Sequence, residues 1–558
     1  MPRRISSMTG SSSPPRFGKR ALVVRPDETL VQALARTGLP VLGRSIRYHR
    51  PRAPFCGVGA CSQCLVRVNG EPNVRACRYS PSPGDLIETE NAWPSPRFDL
   101  YGVFDVLFGR SFDSHRGFIR PRFATGWYQR AVRHFAGYGR LSTAAPSPPV
   151  PGTHLTTEVA VVGAGASGRA AAARLAGAGR RVLLLDRGPA AGAPDGVEVR
   201  SGYTVSFLPP PESGRPDPFH LLAVSESHAA LTVRAPAVLL APGGYDAGLV
   251  FDGNDRPGVL TAEGAQLSTP PGAAPPFHHA LLFGGGPRVA ELLDRFGDRV
   301  EAVVAPGAIG SEVAERAARL EVDLYPRTLL LGTRGRGRVR AVDLEGRGGG
   351  ARFTVKADAV VLAHRRLPNP QLFFQVGARM EWRASTGAYY PVVTGAGRTS
   401  VDGLFAAGGA AGYLPESSAA SGAAVAEEIL GRPPTDPGPR VDADRPTELL
   451  GYFRELLPKL LPRRRVFLCA CEDILLGSLP EAHAGGYEGI QVVKRFTDVG
   501  TGLCQGRYCL PDALLLLSLL ENRPPSELGY ITQRPPVLPA SLGALAGLPS
   551  ALPPGEAA

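Results

Sequence analysis

The chain has 558 residues, enough for about three or four domains of ordinary size and a large core. Its net charge of +12 comes from arginines scattered along the chain, with no Lys/Arg-dense block and no interleaved aromatics, which argues against a nucleic-acid surface. No apolar run reaches the ~20 residues that cross a bilayer, and residues 1–19 lack the apolar stretch of a signal peptide, so a cytoplasmic chain without a transmembrane segment is expected.

All eight cysteines fall into two sets of four. None is left over for a disulfide framework, and the pattern favours metal ligation in a reducing compartment. Behind residues 1–19, expected as a disordered tail, residues 20–24 read as a strand, Pro26-Asp27-Glu28 as a turn and residues 29–35 as a helix. Cys56, Cys61, Cys64 and Cys77 follow with the spacing C-x4-C-x2-C-x12-C, around a strand over 65–68 and a turn at Asn69-Gly70. The first three match the plant-type ferredoxin pattern, in which glycines let backbone N–H groups turn toward the sulfurs of a 2Fe-2S cluster. A zinc knuckle and buried free thiols are the alternatives, but zinc sites more often use two C-x2-C-like pairs around a longer loop.

The run Gly43-Arg44-Ser45-Ile46-Arg47-Tyr48-His49-Arg50-Pro51-Arg52 resembles a signature of the alpha subunit of heterotetrameric sarcosine oxidase, and Trp93-Pro94-Ser95-Pro96-Arg97-Phe98-Asp99-Leu100 resembles that subunit's connector. There the ferredoxin-like fold has lost its cysteines. With all four kept, the chain is more similar to the small and large subunits of hydrogen cyanide synthase, opine oxidase and hydroxyproline dehydrogenase, fused into one polypeptide. The resemblance implies an α/β fold: a two-dinucleotide-binding, Rossmann-like flavoprotein core with an N-terminal β-grasp ferredoxin-like domain over 20–90. It also implies a partner, a FAD-dependent beta subunit of the D-amino-acid-oxidase type that oxidises the amine at its own flavin. The sarcosine oxidase alpha subunit carries a folate-binding C-terminal domain, for which this sequence leaves no room, so a folate-linked step is not expected.

Residues 91–152 form an aromatic, Arg-rich connector ending in prolines, in which His115 and His134 read as surface or packing residues. A FAD- or NAD-binding domain is expected over 153–275 and 386–432. Residues 158–162 read as a buried strand, followed by Gly163-Ala164-Gly165-Ala166-Ser167-Gly168, an Ala-rich helix, a strand over 182–185 and Asp186. Gly163 allows the turn, Gly165 the approach of a pyrophosphate and Gly168 close helix packing. Asp186, 23 residues past Gly163, stands where a Rossmann unit places an acid on the ribose. Ser167 and Arg187 join these as candidate cofactor-binding residues. Ala241 and Gly243 belong to a strand-and-turn motif, and Gly408 to a second motif over 399–408, that resemble those of two-dinucleotide flavoproteins. The second motif usually ends Gly-Asp, whereas this chain has Gly409. FAD is the expected occupant and NAD the alternative.

Residues 276–385 read as a degenerate NAD-binding-like domain, with candidate residues Gly284 and Gly286 in the turn after a strand at 278–283. Val289 replaces the third glycine, and the strand over 300–304 ends at Ala305 without an acid, so nucleotide binding there is weakened. His278 and His279 are assigned no role. After the Pro-rich break at 433–446, a C-terminal domain over 447–523 holds Cys469 and Cys471 as C-x-C, and Cys504 and Cys509 as C-x4-C before an apolar helix at 510–520. It resembles the 2Fe-2S domain of bacterioferritin-associated ferredoxin, with zinc on the same four thiolates as the alternative. The Pro-rich tail, 524–558, is expected to be a partly ordered arm packing on its own or a partner's surface.

A flavin accepts two electrons and releases them singly, whereas a 2Fe-2S cluster carries one. Between residues 78 and 468 there is no cysteine, which excludes dithiol chemistry at the flavin. The order cluster, dinucleotide domain, cluster therefore reads as a relay with the nucleotide at its centre. The function expected is an electron-transferring FAD and iron-sulfur subunit of an amine or amino-acid dehydrogenase or oxidase, passing electrons to an external acceptor. A self-contained NAD(P)H-dependent flavoprotein reductase and a non-enzymatic iron-sulfur scaffold are the alternatives. No catalytic residue is assigned, because substrate oxidation is expected in the partner.

Overall fold

The computed structural model describes residues 13–38, 41–102, 123, 125–126, 150–188, 192–208, 218–226, 229–270, 272–441, 448–463 and 465–548. Most of the connector, with His115 and His134, lies outside the described residues, as do residues 1–12 of the N-terminal tail and 549–558 of the C-terminal one. Among the described residues no helix is long and apolar enough to cross a membrane.

The N-terminal domain is a five-stranded sheet in the spatial order Arg20–Ala21, Arg16–Phe17, Leu86–Glu88, Leu65–Val68, Glu71–Arg75. The helix Leu30–Ala35 packs Leu30, Val31 and Leu34 against Val66, Val68, Ile87 and Tyr79. Thr29 and Gln32 close a capping box at its start, each side chain accepting from the other's backbone N–H. Two sequence expectations are corrected here. Arg16–Phe17 is paired to Leu86–Glu88, so the domain reaches into the expected tail, and only Arg20–Ala21 of the expected strand is paired.

The first dinucleotide-binding unit is a parallel sheet in the order Glu198–Ser201, Val182–Asp186, Val159–Val162, Ala237–Leu240, Leu404–Ala406. All four residues of Val159–Val162 are buried, as a central parallel strand covered on both faces requires. Val159 and Val161 face the helices Ala166–Gly177 and Ser418–Ile429, while Ala160 and Val162 face an antiparallel sheet through Val205, Leu221 and Val233. The second unit orders its strands Val259–Thr261, Ala359–Leu362, Ala280–Phe283, Val300–Val304, Asp323–Tyr325, with the helices Pro287–Phe296 and Ser311–Arg319. Its edge strand comes from before residue 276, so the unit is recruited from a longer stretch than the motif marks.

The C-terminal cysteine domain is not a loosely tethered module. The helix Glu448–Leu460 buries Tyr452, Phe453 and Leu456 in one core with Leu330 and Leu344 of a separate three-stranded sheet (Thr328–Arg334, Ala341–Gly346, Arg352–Lys356), with Leu281 and Val360 of the second unit, and with Leu514 and Leu517 of the helix Leu510–Glu521. Tyr452 Oη accepts from Leu330 N at 3.2 Å. The expected arm packs on its own chain: Tyr530 stacks on Phe374 with centroids 4.1 Å apart, Val537 N donates to Ser206 Oγ at 2.9 Å, and Gly152 N to Gly547 O at 2.7 Å.

Candidate functional site: two cysteine sets against a dinucleotide cavity

In the N-terminal set all four thiols are buried and meet in a ring: Cys56 touches Cys61 and Cys77, and Cys77 touches Cys64. Burial opposes ionisation of Cys56, but contacts from Cys61 and Cys77 and the backbone N–H groups of Cys61 and Ala60 hold it well below the usual thiol range. The loop is clamped onto the second unit: Thr261 N donates to Phe55 O at 3.1 Å, and Gly264 lies so close that a Cβ there would collide with the same carbonyl.

The C-terminal set forms a second ring, Cys504 to Cys471 to Cys469 to Cys509. Contacts from Cys469 and Cys504, the Ser62 hydroxyl and the Cys504 N–H hold Cys471 well below the usual range against its burial. Cys469 is pushed up by its neighbours Cys471 and Cys509, and Cys504 by Cys471. Among the described residues no group of three or more His, Cys, Asp or Glu side chains is set for a single metal ion. Four soft, buried donors meeting pairwise, with backbone N–H groups aimed at sulfur, are the donor set a two-iron cluster takes.

The two rings adjoin. Gln63, between Cys61 and Cys64, donates from Nε2 to Ala470 O at 2.9 Å, and Ala470 lies between Cys469 and Cys471. Arg52 Nη2 donates to Cys471 O at 3.2 Å. Arg50, on the Gly43–Arg52 signature, is ion-paired with Asp473 at 2.5 Å, binds Ala470 O through Nη2 and holds Gln63 Oε1 at 3.2 Å. Burial raises the Asp473 carboxyl, but Arg50 and Arg52 outweigh it and hold the group below its usual range. A small cavity of about 60 Å³ between the rings is lined by Cys61, Cys469, Cys471, Cys504 and Cys509, beside Phe55 and Tyr508, whose rings meet edge to face at 5.2 Å.

The dinucleotide cavity, about 460 Å³, lies within the range of ligand pockets. Gly163, Gly165, Asp186, Arg187, Ala241 and Gly243 line it. Gly163 has φ +109°, and a Cβ there would strike the Ala241 carbonyl; one at Gly168 would strike the Gly163 carbonyl, so these two glycines set the turn and the helix approach. Asp186 accepts from Ala164 N at 2.6 Å and Gly188 N at 2.5 Å, which pins its carboxylate at the cavity edge. Ser167 and Gly408 pack against each other and do not line the cavity, nor does Gly168. Gly409 faces open space, so its replacement of the usual acid is a chemical difference that packing does not demand. Gly284 and Gly286 stand in the other unit, where Val289 is fully buried.

Sequence reasoning missed Arg78 and Arg507. Both reach this cavity, one from beside Cys77 and one from between Cys504 and Cys509. Burial and then the neighbouring charges of Arg507 and Arg78 push Arg187 down to about 10. The three guanidiniums from three domains leave an excess of positive charge, which suits a phosphate-bearing ligand. Val58 of the first cysteine loop lines the same cavity. The expectation that the nucleotide stands between the two cysteine sets is therefore overturned. The sets touch each other and both loops reach the cavity, making a triangle and not a line.

Residues 16–92 match the family described as a 2Fe-2S iron-sulfur cluster binding domain, residues 161–204 an NAD(P)-binding Rossmann-like domain, and residues 463–548 the sarcosine oxidase A3 domain. The chain is 27% identical over 585 residues to the alpha subunit of sarcosine oxidase from Rhizobium meliloti (strain 1021), covering 95% of this chain and 57% of that one. It therefore spans little more than half of that relative. To an opine oxidase subunit of Agrobacterium tumefaciens (strain Ach5) it is 27% identical over 463 residues, 70% of this chain and 92% of the relative. Two separate subunits of hydrogen cyanide synthase from Pseudomonas aeruginosa also match, one over 72 residues and one over 461. In fold, L-proline dehydrogenase from P. horikoshii superimposes with a TM-score of 0.65 at 19% identity, over 97% of this chain and 98% of that one. The chain is thus similar to subunits of sarcosine oxidase, opine oxidase and hydrogen cyanide synthase, shares the overall fold of that proline dehydrogenase, and carries an N-terminal 2Fe-2S domain match and a Rossmann-like domain match.

Proposed function

We propose that this chain is the electron-transferring flavin and iron-sulfur subunit of a complex that oxidises an amine or amino acid. The observation that carries the reading is the mutual contact of two four-thiol rings and a dinucleotide cavity. In this reading Cys56, Cys61, Cys64 and Cys77 hold one 2Fe-2S cluster and Cys469, Cys471, Cys504 and Cys509 a second. FAD occupies the cavity, with its pyrophosphate at Gly163 and Gly165, its ribose at Asp186 and its anionic charge met by Arg78, Arg187 and Arg507; NAD is the alternative occupant. A bound flavin supplies a two-electron store that empties one electron at a time. The chain's own residues keep both thiol rings dry, aim backbone N–H groups at the sulfurs and lock the two loops together through Arg50, Gln63 and Asp473.

Substrate oxidation then falls to a partner, a FAD-dependent beta subunit of the D-amino-acid-oxidase type, with delivery to an external acceptor. Support comes from the relatives, which are themselves named as subunits. The self-contained reductase is less favoured, since Val289 and Ala305 occupy the positions where a second nucleotide site needs a glycine and an acid. Purified protein is expected to hold about one flavin and about four irons per chain, two for each cluster. Zinc in place of iron would end this reading.

A further inference from the structure

The segment that follows the short strand Arg366–Pro368 brings two carboxamides, Asn369 and Gln371, to the wall of the dinucleotide cavity. Asn369 is held by the turn after Ala241: its backbone N–H donates to Gly243 O at 3.1 Å and its Nδ2 to Pro242 O at 2.8 Å. Only the nitrogen of a carboxamide can donate to a carbonyl, so this orientation is fixed. It leaves Oδ1 as a buried acceptor with no donor among the described residues. Gln371 has the complementary deficit. It is 5% exposed, and its buried Nε2 meets no acceptor among the described residues. A buried acceptor and a buried donor without partners cost free energy that a bound ligand recovers, and the cavity both residues line has room for one. Val205, Leu372 and Leu538 line the same cavity and offer apolar surface to the face of a flat ring.

We propose that Asn369 and Gln371 are ligand-binding residues that read the edge of a planar ring on which a hydrogen-bond donor stands beside an acceptor. This rests on the reading of the cavity as a dinucleotide site. Asn369 Oδ1 accepts from the N–H of that edge, and Gln371 Nε2 donates to the neighbouring ring nitrogen or carbonyl oxygen. The amino edge of adenine has this pattern, as do the pyrimidine edge of a flavin and the carboxamide of nicotinamide. Matching such an edge selects among ligands more sharply than apolar contact does, because a ligand without it leaves both buried groups unpaired.

The test is calorimetric titration of the full-length, nucleotide-free protein with ADP, FAD and NAD, in the wild type and in Gln371→Leu, together with the melting temperature of each free protein. The variant should bind at least one of the three about tenfold more weakly, as one hydrogen bond to the ligand is lost. Its melting temperature without ligand should be no lower than that of the wild type, because the change removes an unpaired buried donor. A similar loss for all three ligands assigns the edge to adenine. A loss for FAD or NAD with ADP unchanged assigns it to the flavin or the nicotinamide. Wild-type affinity for every ligand in Gln371→Leu would overturn the proposal and leave the dinucleotide reading standing. A melting temperature several degrees lower in the free variant would also overturn it, since Gln371 would then be holding the fold and not the ligand. Wild-type protein that binds none of the three would sink the dinucleotide reading, and this proposal with it.

Discussion

Replacing Arg50 by Met should open the junction between the two cysteine loops while leaving each loop's own fold intact. Arg50 and Asp473 side chains are each 3% exposed and 2.5 Å apart, and the same guanidinium binds Ala470 O and Gln63 Oε1. Removing one member of such a pair strands the other as a buried charge, at about 3–5 kcal/mol. At 1.36 kcal/mol per decade this is roughly two to four powers of ten in a local opening equilibrium. Hydrogen exchange of the backbone amides over 469–473 reads that equilibrium directly. The double variant Arg50→Met/Asp473→Leu removes both charges and should lose far less protection than Arg50→Met alone, because an apolar pair of similar volume is close to neutral. The pH dependence adds a second signature. Arg50 holds the Asp473 carboxyl low in the folded protein, so the pair's stabilisation is present above the unfolded carboxyl pKa and is lost as pH falls through the folded value. In Arg50→Met the burial that raises it is opposed by Arg52, the Ser45 hydroxyl and the Arg47 N–H at 3.1 Å but no longer by Arg50, so the penalty should shrink toward acid pH as Asp473 takes up a proton. Protection within about threefold of wild type in Arg50→Met, or a double variant worse than the single one, would refute this account of the junction.

Three further outcomes follow from other parts of the site. Gly168→Ala should lose bound nucleotide almost completely, since its Cβ would collide with the Gly163 carbonyl at the pyrophosphate turn; a wild-type flavin-to-protein ratio in the variant would contradict that turn's role. Arg507→Gln should bind nucleotide about tenfold more weakly by calorimetry, as one charge-assisted hydrogen bond is lost, while the nucleotide-free protein becomes more stable because Arg187 has one fewer positive neighbour. Affinity and stability moving in the same direction would count against the anion seat. Burial outweighs Arg365 and pushes the Asp512 carboxyl up to about 6, so the folded state holds a proton that the unfolded state releases near pH 4. Thermal stability should therefore fall as pH rises from about 4 through 6, by up to about 3 kcal/mol, and Asp512→Asn should flatten that slope.

Much of the site could be read in the sequence because it is local. The C-x4-C-x2-C loop, the C-x-C and the C-x4-C each place their thiols through a few residues of backbone, and Gly163, Gly168 and Asp186 are tied together by one strand, turn and helix. Turn geometry and strand alternation act over this range, so spacing alone carries the information. The misplaced domain edges have the same origin. Arg16–Phe17 and Val259–Thr261 are strands of two and three residues, neither with a periodicity of its own; the first pairs locally with Arg20–Ala21 but is fixed in the sheet by Leu86–Glu88, and the second pairs with Ala359–Leu362, partners far along the chain.

By itself the sequence determined the chemistry available: eight thiols in two ligand sets, a dinucleotide turn, and no thiol left for exchange. Only the tertiary structure decided how these parts meet. Gln63 reaches Ala470 across 407 residues, Arg50 reaches Asp473 across 423, and Arg78 and Arg507 arrive at one cavity from opposite ends of the chain. Chain order suggested a line through the nucleotide, but spatial order is set by which buried surfaces and charges find partners. Here an apolar core seats the C-terminal cysteine domain on the second unit, and a buried Arg-Asp pair ties it to the N-terminal cysteine domain. Those terms depend on surfaces assembled only after each domain has folded, which is why no local pattern announced them.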